Sequence, residues 1–287
     1  MHDQAQALRE RVQARIRTAP GTTRVVAVTS GKGGVGKSNF SLNFAIALRN
    51  RGHSVLVFDA DLGMANIDVL LGAPARYNLV HLLRKEKTIW EIIQEGPEGL
   101  RFITGGSGFL DLLRLNEEQL EYFVTEVEKL HGHFDFVLFD TGAGLSKETA
   151  RFITAADETI VVTTPEPTAV TDAYALIKMA SAGGEPVRFR LVINRAADER
   201  EGIQTADHFR RVAARFLGLD ILPLGYVPDD QHVPKAVKKQ VPLLHAYPNC
   251  PAAKGIDRIA SSFLMEERTD EPAGIRGFLS RIRRFWG

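Results

Sequence analysis

Val25-Val26-Ala27-Val28-Thr29-Ser30-Gly31-Lys32-Gly33-Gly34-Val35-Gly36-Lys37-Ser38 decides the architecture. Its first five residues are a β-branched run of strand length. A glycine-rich loop follows. From Ser38 to Arg51, apolar Phe40, Phe44, Ala47 and Leu48 recur at helical spacing, and Gly52 stops the helix. Strand, glycine loop and helix in that order are the setting in which G-x-x-x-x-G-K-[ST], here Gly31 to Ser38, carries a mechanism. Glycines reach positive φ and let successive backbone N–H groups close around phosphate oxygens. The helix N-terminus aims its positive end at the same anion. Lys37 is placed to reach β- and γ-phosphates, and Ser38 to ligate Mg²⁺. Gly31, Lys32, Gly33, Gly34, Val35, Gly36, Lys37 and Ser38, with the adjoining Asn39, are therefore the expected contacts for ATP and Mg²⁺.

Further apolar runs extend from this core unit: 55–58, 100–103, 136–139, 159–162, 190–193 and 221–224. They are continuous, as in strands buried on both faces of a helix-covered parallel sheet. Their alternation with amphipathic segments predicts an α/β, doubly wound, mostly parallel sheet with helices on both faces. In that fold ligands sit beyond the carboxyl ends of the strands. Informative residues cluster there. Asp59 and Asp61 end the second strand. Asp140 closes Phe136-Val137-Leu138-Phe139, which is the Walker B pattern that sets a carboxylate near Mg²⁺. Thr141-Gly142-Ala143-Gly144 follows as a flexible loop able to sense the γ-phosphate. Asn194 ends another strand with an amide suited to a base edge. Pro165-Glu166-Pro167 and Pro228-Asp229 fall at the same end.

Bulk properties bound this picture. A chain of 287 residues, 44% of them hydrophobic, fits one large soluble domain or two small ones. A net charge of +1 gives no global attraction for nucleic acid, so any basic surface must be local. Cys250 is the one cysteine; it forms no intrachain disulfide and reads as a small filler beside Pro251. The first 20 residues are polar, without an apolar leader, and no run reaches the roughly 20 apolar residues of a spanning helix. A cytoplasmic protein is expected.

The loop Lys32-Gly33-Gly34-Val35-Gly36-Lys37-Ser38 carries a second lysine, and here the sequence resembles the deviant Walker A ATPases, the group of MinD, ParA and the nitrogenase iron protein. The resemblance implies ATP hydrolysis and an ATP-dependent homodimer, with Lys32 reaching the partner's nucleotide. It makes Lys32, Lys37 and Asp61 the catalytic set, Asp61 positioning water. It makes Ser38, Asp59 and Asp140 the metal residues, and it gives Asn194, Pro228 and Asp229 to the base. Gly63 and Asn66 would lie in a first switch segment. The branches that carry iron–sulfur clusters need paired cysteines and drop out.

The two ends narrow the resemblance. Ile275, Phe278, Leu279, Ile282, Phe285 and Trp286 share one helix face in the tail 271–287, with Arg276, Arg281, Arg283 and Arg284 as the only charges after Pro272. Such a helix reads as an in-plane membrane anchor. Six partly buried side chains at about 1–2 kcal/mol each and four arginines at about 1 kcal/mol each barely exceed roughly 1 kcal/mol per ordered residue. Two tails on a dimer would hold far better. The lesser alternative is a helix docked on the body's own core, which an apo or ADP state could show even with a membrane anchor. Residues 1–20 form a polar segment, helical over about 2–17, with a thin stripe of Ala5, Leu8, Val12 and Ile16. Asp3-Gln4-Ala5 with Leu8-Arg9, and the run from Asp59 to Asp68, resemble the flagellar-number regulators of the FlhG type (YlxH/FleN-like). That likeness implies that Gln4, Leu8 and Arg9 stimulate an FlhF-type signal-recognition GTPase, that flagellar C-ring proteins are partners, and that residues 21–270 are the ATPase domain. It places the protein at the inner face of the cell membrane, reversibly bound. A MinD-type division-site regulator shares the chemistry. A ParA-type DNA-partition ATPase would need a basic face, and Lys235, Lys238 and Lys239 form the one cluster outside the tail.

Overall fold

A computed structural model describes residues 22–61, 67–105, 117–183, 186–266 and 271–284. Strands β1 (Arg24–Ser30), β2 (Val55–Ala60), β3 (Gln94–Glu95), β4 (Arg101–Thr104), β5 (Phe136–Ala143), β6 (Glu158–Thr163), β7 (Phe189–Ala196) and β8 (Leu222–Pro228) form one sheet in the order β3-β4-β2-β5-β1-β6-β7-β8. Every pairing is parallel except β3 with β4. β3 is the strand the sequence did not announce: two residues, Gln94 and Glu95, carry neither apolar run nor alternation.

The continuous apolar runs divide between two faces because side chains alternate along a strand. Val26, Val28, Val55, Val57, Phe136 and Leu138 point to one face, under α1 (Lys37–Arg49) and α11 (Pro251–Met265). Val25, Ala27, Leu56, Phe58, Val137 and Phe139 point to the other. Between α1 and α11 lie α2 (Ile67–Leu71), α3 (Leu79–Leu83), α4 (Ile89–Ile92), α5 (Glu117–Glu128), α6 (Lys147–Ala155), α7 (Pro167–Ser181), α8 (Glu199–Leu217), α9 (His232–Lys239) and α10 (Leu243–Ala246). α1 is buried almost all round, a wider apolar surface than the stripe of Phe40, Phe44, Ala47 and Leu48 suggested. Its polar Asn43 is satisfied: Nδ2 donates to the Asn39 carbonyl at 2.8 Å, and Oδ1 accepts from Leu244 N at 3.0 Å.

The last helix, α12 (Gly274–Arg284), changes one sequence expectation. Read as a membrane anchor, it packs here on the body. Ile275, Phe278, Leu279 and Ile282 are each at most 3% exposed, seated among Phe139, Phe152 and the second face of the sheet. Phe278 stacks on Phe139 with centroids 4.6 Å apart. Asp157 accepts from Gly274 N at 3.2 Å and from Val25 N at 2.9 Å, tying the helix start to β1. Arg281 Nη1 donates to the carbonyls of Ala155 and Ala156 at the end of α6, at 2.6 and 3.0 Å. Arg276 donates to Glu128 at 2.8 Å, and Arg283 pairs with Glu121. The apolar stripe expected to face lipid is, in this structure, spent on the protein's own sheet. Phe285 and Trp286 lie outside the described residues, as do Gln4, Leu8, Arg9, Gly63 and Asn66. Among the described residues, no helix is long and apolar enough to cross a membrane.

Candidate nucleotide site

The loop between β1 and α1 is shaped by two glycines that admit no side chain. A Cβ on Gly31 would lie 2.2 Å from the Asp172 carbonyl carbon in α7, and Gly36 takes φ 88° as the N-cap of α1 with Asn194 Nδ2 2.4 Å from any added Cβ. Positive φ at Gly36 turns the chain into the helix with its N–H groups facing the loop. Asn194, at the end of β7, donates from Nδ2 to the Val35 carbonyl at 2.7 Å. Expected to read a base, it also pins the phosphate loop. Asn194, Pro228, Asp229, Asn39, Gly34 and Gly36 line one cavity of about 650 Å³.

Beneath the loop the charged groups converge. Lys37, 6% exposed, donates from Nζ to Asp140 Oδ1 at 2.9 Å and to Ser38 Oγ at 3.1 Å. Ser41 Oγ donates to the same Asp140 oxygen at 2.6 Å. Asp140 Oδ1 therefore carries two donors, while Oδ2 is buried with no hydrogen-bond partner. A bare carboxylate oxygen inside a protein costs free energy that a hydrogen-bond donor, a proton or a cation offsets. Sequence reasoning missed Ser41. Its signal was spacing: four residues after Lys37, it shares that lysine's helix face.

The two strand-tip carboxylates stand in register, Asp59 beside Asp140 on β2 and β5. Asp59 is fully buried, and both oxygens accept backbone N–H groups, Oδ1 from Asp61 and Oδ2 from Ile67, each at 3.2 Å. Asp59, expected to serve the metal, is thus held by backbone N–H groups on both oxygens in this conformation. Asp61, just past the end of β2, is half-buried. The segment expected to be a loop after Asp140 is also more regular: β5 runs to Ala143, Thr141 Oγ1 donates to the Val28 carbonyl at 3.1 Å, and Gly144 N donates to the Ser30 carbonyl at 2.9 Å.

Lys32 lies on the rim. Its Nζ meets Glu166 Oε2 at 3.3 Å and Thr168 Oγ1 at 3.2 Å, and its side chain is 42% exposed. Thr168, in the first turn of α7, is a second partner the sequence did not reveal, since it is remote in the chain. Asp230, which lines the same cavity, receives N–H groups from His232 at 2.9 Å and Ala252 at 3.1 Å. Burial opposes its charge, yet these donors hold its carboxyl down at about 2.

A profile for the CobQ/CobB/MinD/ParA nucleotide binding domain matches residues 26–243. Antiactivator FleN of Pseudomonas aeruginosa is 35% identical, covering 89% of this chain and 90% of its own. Flagellum site-determining protein YlxH of Helicobacter pylori is 37% identical, covering 93% and 92%. Septum site-determining protein MinD of the same organism is 31% identical, covering 90% and 97%. Among solved structures, Pyrococcus horikoshii MinD complexed with Mg-ADP aligns with a TM-score of 0.69 at 24% identity, over 84% of this chain and 96% of that one. The fold, the loop and the relatives agree: the chain belongs to the CobQ/CobB/MinD/ParA nucleotide-binding family, as a MinD-like ATPase related to FleN and YlxH.

Proposed function

We propose that this ATPase binds ATP with Mg²⁺, dimerises on it, and regulates the number and placement of flagella at the membrane. The single observation that carries the chemistry is Asp140, saturated on Oδ1 by Lys37 and Ser41 and bare on Oδ2. An oxygen-only set of Asp140 and the Ser38 hydroxyl fits a hard divalent cation. Once bound, Mg²⁺ would offset charge on the β- and γ-phosphates. Lys37 would exchange Asp140 for phosphate. The loop's N–H groups would orient the triphosphate, and Asp61 would position the attacking water.

Lys32 is free to act across a dimer at small cost. Its exposed contact with Glu166 is worth about 0–1 kcal/mol. Two chains facing one another through this rim would place each Lys32 on the other's nucleotide. Dimerisation would then favour release of α12 to lipid, where two basic amphipathic helices act together. The flagellar client rests on the likeness to FleN and YlxH, which spans about nine-tenths of both chains. Stimulation of an FlhF-type GTPase through Gln4, and C-ring partners, complete the proposal.

Light scattering of the full chain with and without ATP tests the dimer. Wild type should double in mass with ATP, and Lys32→Ala should bind ATP yet stay monomeric. A monomer in both would overturn the dimer. For the flagellar partner, full-length Gln4→Ala should lose stimulation of the GTPase, and equal stimulation would remove Gln4 from the account. The likeness to MinD favours a second reading, control of the division site, with the same ATPase and a different client.

A further inference from the structure

Three groups of different chemistry meet where the turn after β8 touches the start of α11. Asp230, His232 and Cys250 each bring one ligand atom within 4.8 Å of the others. The Asp230 side chain is 5% exposed and Cys250 7%, while His232 is 35% exposed, its ring 4.8 Å from that of Tyr247. Cys250 is no mere filler: it N-caps α11, and its Sγ accepts from Ala253 N at 3.4 Å. Asp230 Oδ2 accepts from Ala252 N at 3.1 Å. Both donors belong to the first turn of α11, so the positive helix end faces a carboxylate and a sulfur. Such outer N–H donors are what orient thiolate and carboxylate ligands around a metal. Asp230 Oδ1 and His232 Nδ1 lie 2.7 Å apart, a position a cation can enter by displacing the shared proton.

We propose that Asp230, His232 and Cys250 bind a borderline-soft divalent cation of the zinc class, with one coordination position left to water. A sulfur, a nitrogen and an oxygen ligand suit zinc or cobalt and not magnesium, which takes oxygen alone. Bonds of about 2.0–2.3 Å set ligand atoms of one tetrahedral centre roughly 3.3–3.8 Å apart. From a separation within 4.8 Å, no pair has to close by more than about 1–1.5 Å. On binding, the Cys250 S–H bond breaks and its proton leaves to water. His232 remains neutral, with Nδ1 on the cation and its proton on Nε2, so one proton is released per cation. Asp230 also lines the cavity beside Asn194 and Asp229. A bound cation therefore fixes that wall, a consequence that rests on the nucleotide reading above.

Cys250 is the chain's single cysteine, which makes the test specific. The full chain, stripped with chelator and kept in excess Mg²⁺, is titrated with Co²⁺. A sulfur-to-cobalt charge-transfer band should saturate at one equivalent and disappear when Zn²⁺ is added. The phosphate-loop site offers no sulfur, so it cannot produce the band. Cys250→Ser keeps a good N-cap residue and should abolish it. His232→Ala should weaken Co²⁺ binding by at least roughly 10–100-fold, the loss seen for even an outer-sphere partner. Absence of the band at one equivalent, or unchanged affinity in His232→Ala, would overturn the site. For the consequence, Zn²⁺ should shift nucleotide affinity in wild type and not in Cys250→Ser. Equal shifts would overturn the coupling, while the cobalt band decides the site independently.

Discussion

The strand tips around the phosphate loop and the groove that holds α12 use burial in opposite ways. At the strand tips, polar groups are buried and left short of partners: Asp140 Oδ2, Thr29 Oγ1, Thr163 Oγ1 and Thr164 Oγ1 have no hydrogen bond. Along α12, every apolar residue of the stripe from Ile275 to Ile282 is covered, and three of its arginines reach acceptors on the body. The first region keeps polar atoms that a ligand can engage; the second already has its apolar face and three of its arginines matched. An unsatisfied site waits for a molecule, whereas a satisfied helix leaves only when something better is offered. The same four side chains can be buried once, on the sheet or in lipid.

The sharpest break of this contrast is at Lys37. Lys37→Ala should lower ATP turnover at least about 100-fold and leave Asp140 buried beside Ser41 without its cation, at a cost of about 3–5 kcal/mol in unfolding free energy. Turnover within tenfold of wild type would remove Lys37 from the chemistry. Phe278→Ala should cost about 3–5 kcal/mol in urea unfolding, because Phe278 packs on Phe139 and Phe152. A helix that served lipid alone would show no change in solution. Asp157→Ala strips an acceptor from Gly274 N and from Val25 N, with an expected loss of about 1–3 kcal/mol and more liposome binding without ATP. The smallest effect belongs to Glu121→Gln and Glu128→Gln. Each removes an exposed partner of α12 worth about 0–1 kcal/mol, so membrane binding should rise slightly at low salt and match wild type at high salt.

The same contrast explains what the sequence disclosed. The phosphate loop, Asp140 and Asn194 could be placed together because each lies toward the carboxyl end of a strand, and a parallel sheet sends those ends to one side. The partners of those residues were less so. Ser41 shares a helix face with Lys37 and could have been found by spacing, whereas Thr168 meets Lys32 only through the β6–α7 crossover. Asp59 read as a metal residue by position; the backbone N–H groups of Asp61 and Ile67 on its two oxygens were not legible from that position. For α12, the period-3.6 stripe foretold a buried face and was read as facing lipid, where the structure seats it on the sheet. Amphipathicity records how much apolar surface a helix carries, and the groove formed by Phe139 and Phe152 exists only after folding.

The link between the two regions is the central claim, that nucleotide at the loop releases the helix. Co-sedimentation of the full chain with anionic liposomes, with and without ATP, in wild type and Lys32→Ala tests it most directly. ATP should raise the bound fraction of wild type and leave Lys32→Ala at its nucleotide-free level. Equal binding of wild type in the two conditions, or an ATP response in Lys32→Ala as large as in wild type, would contradict it.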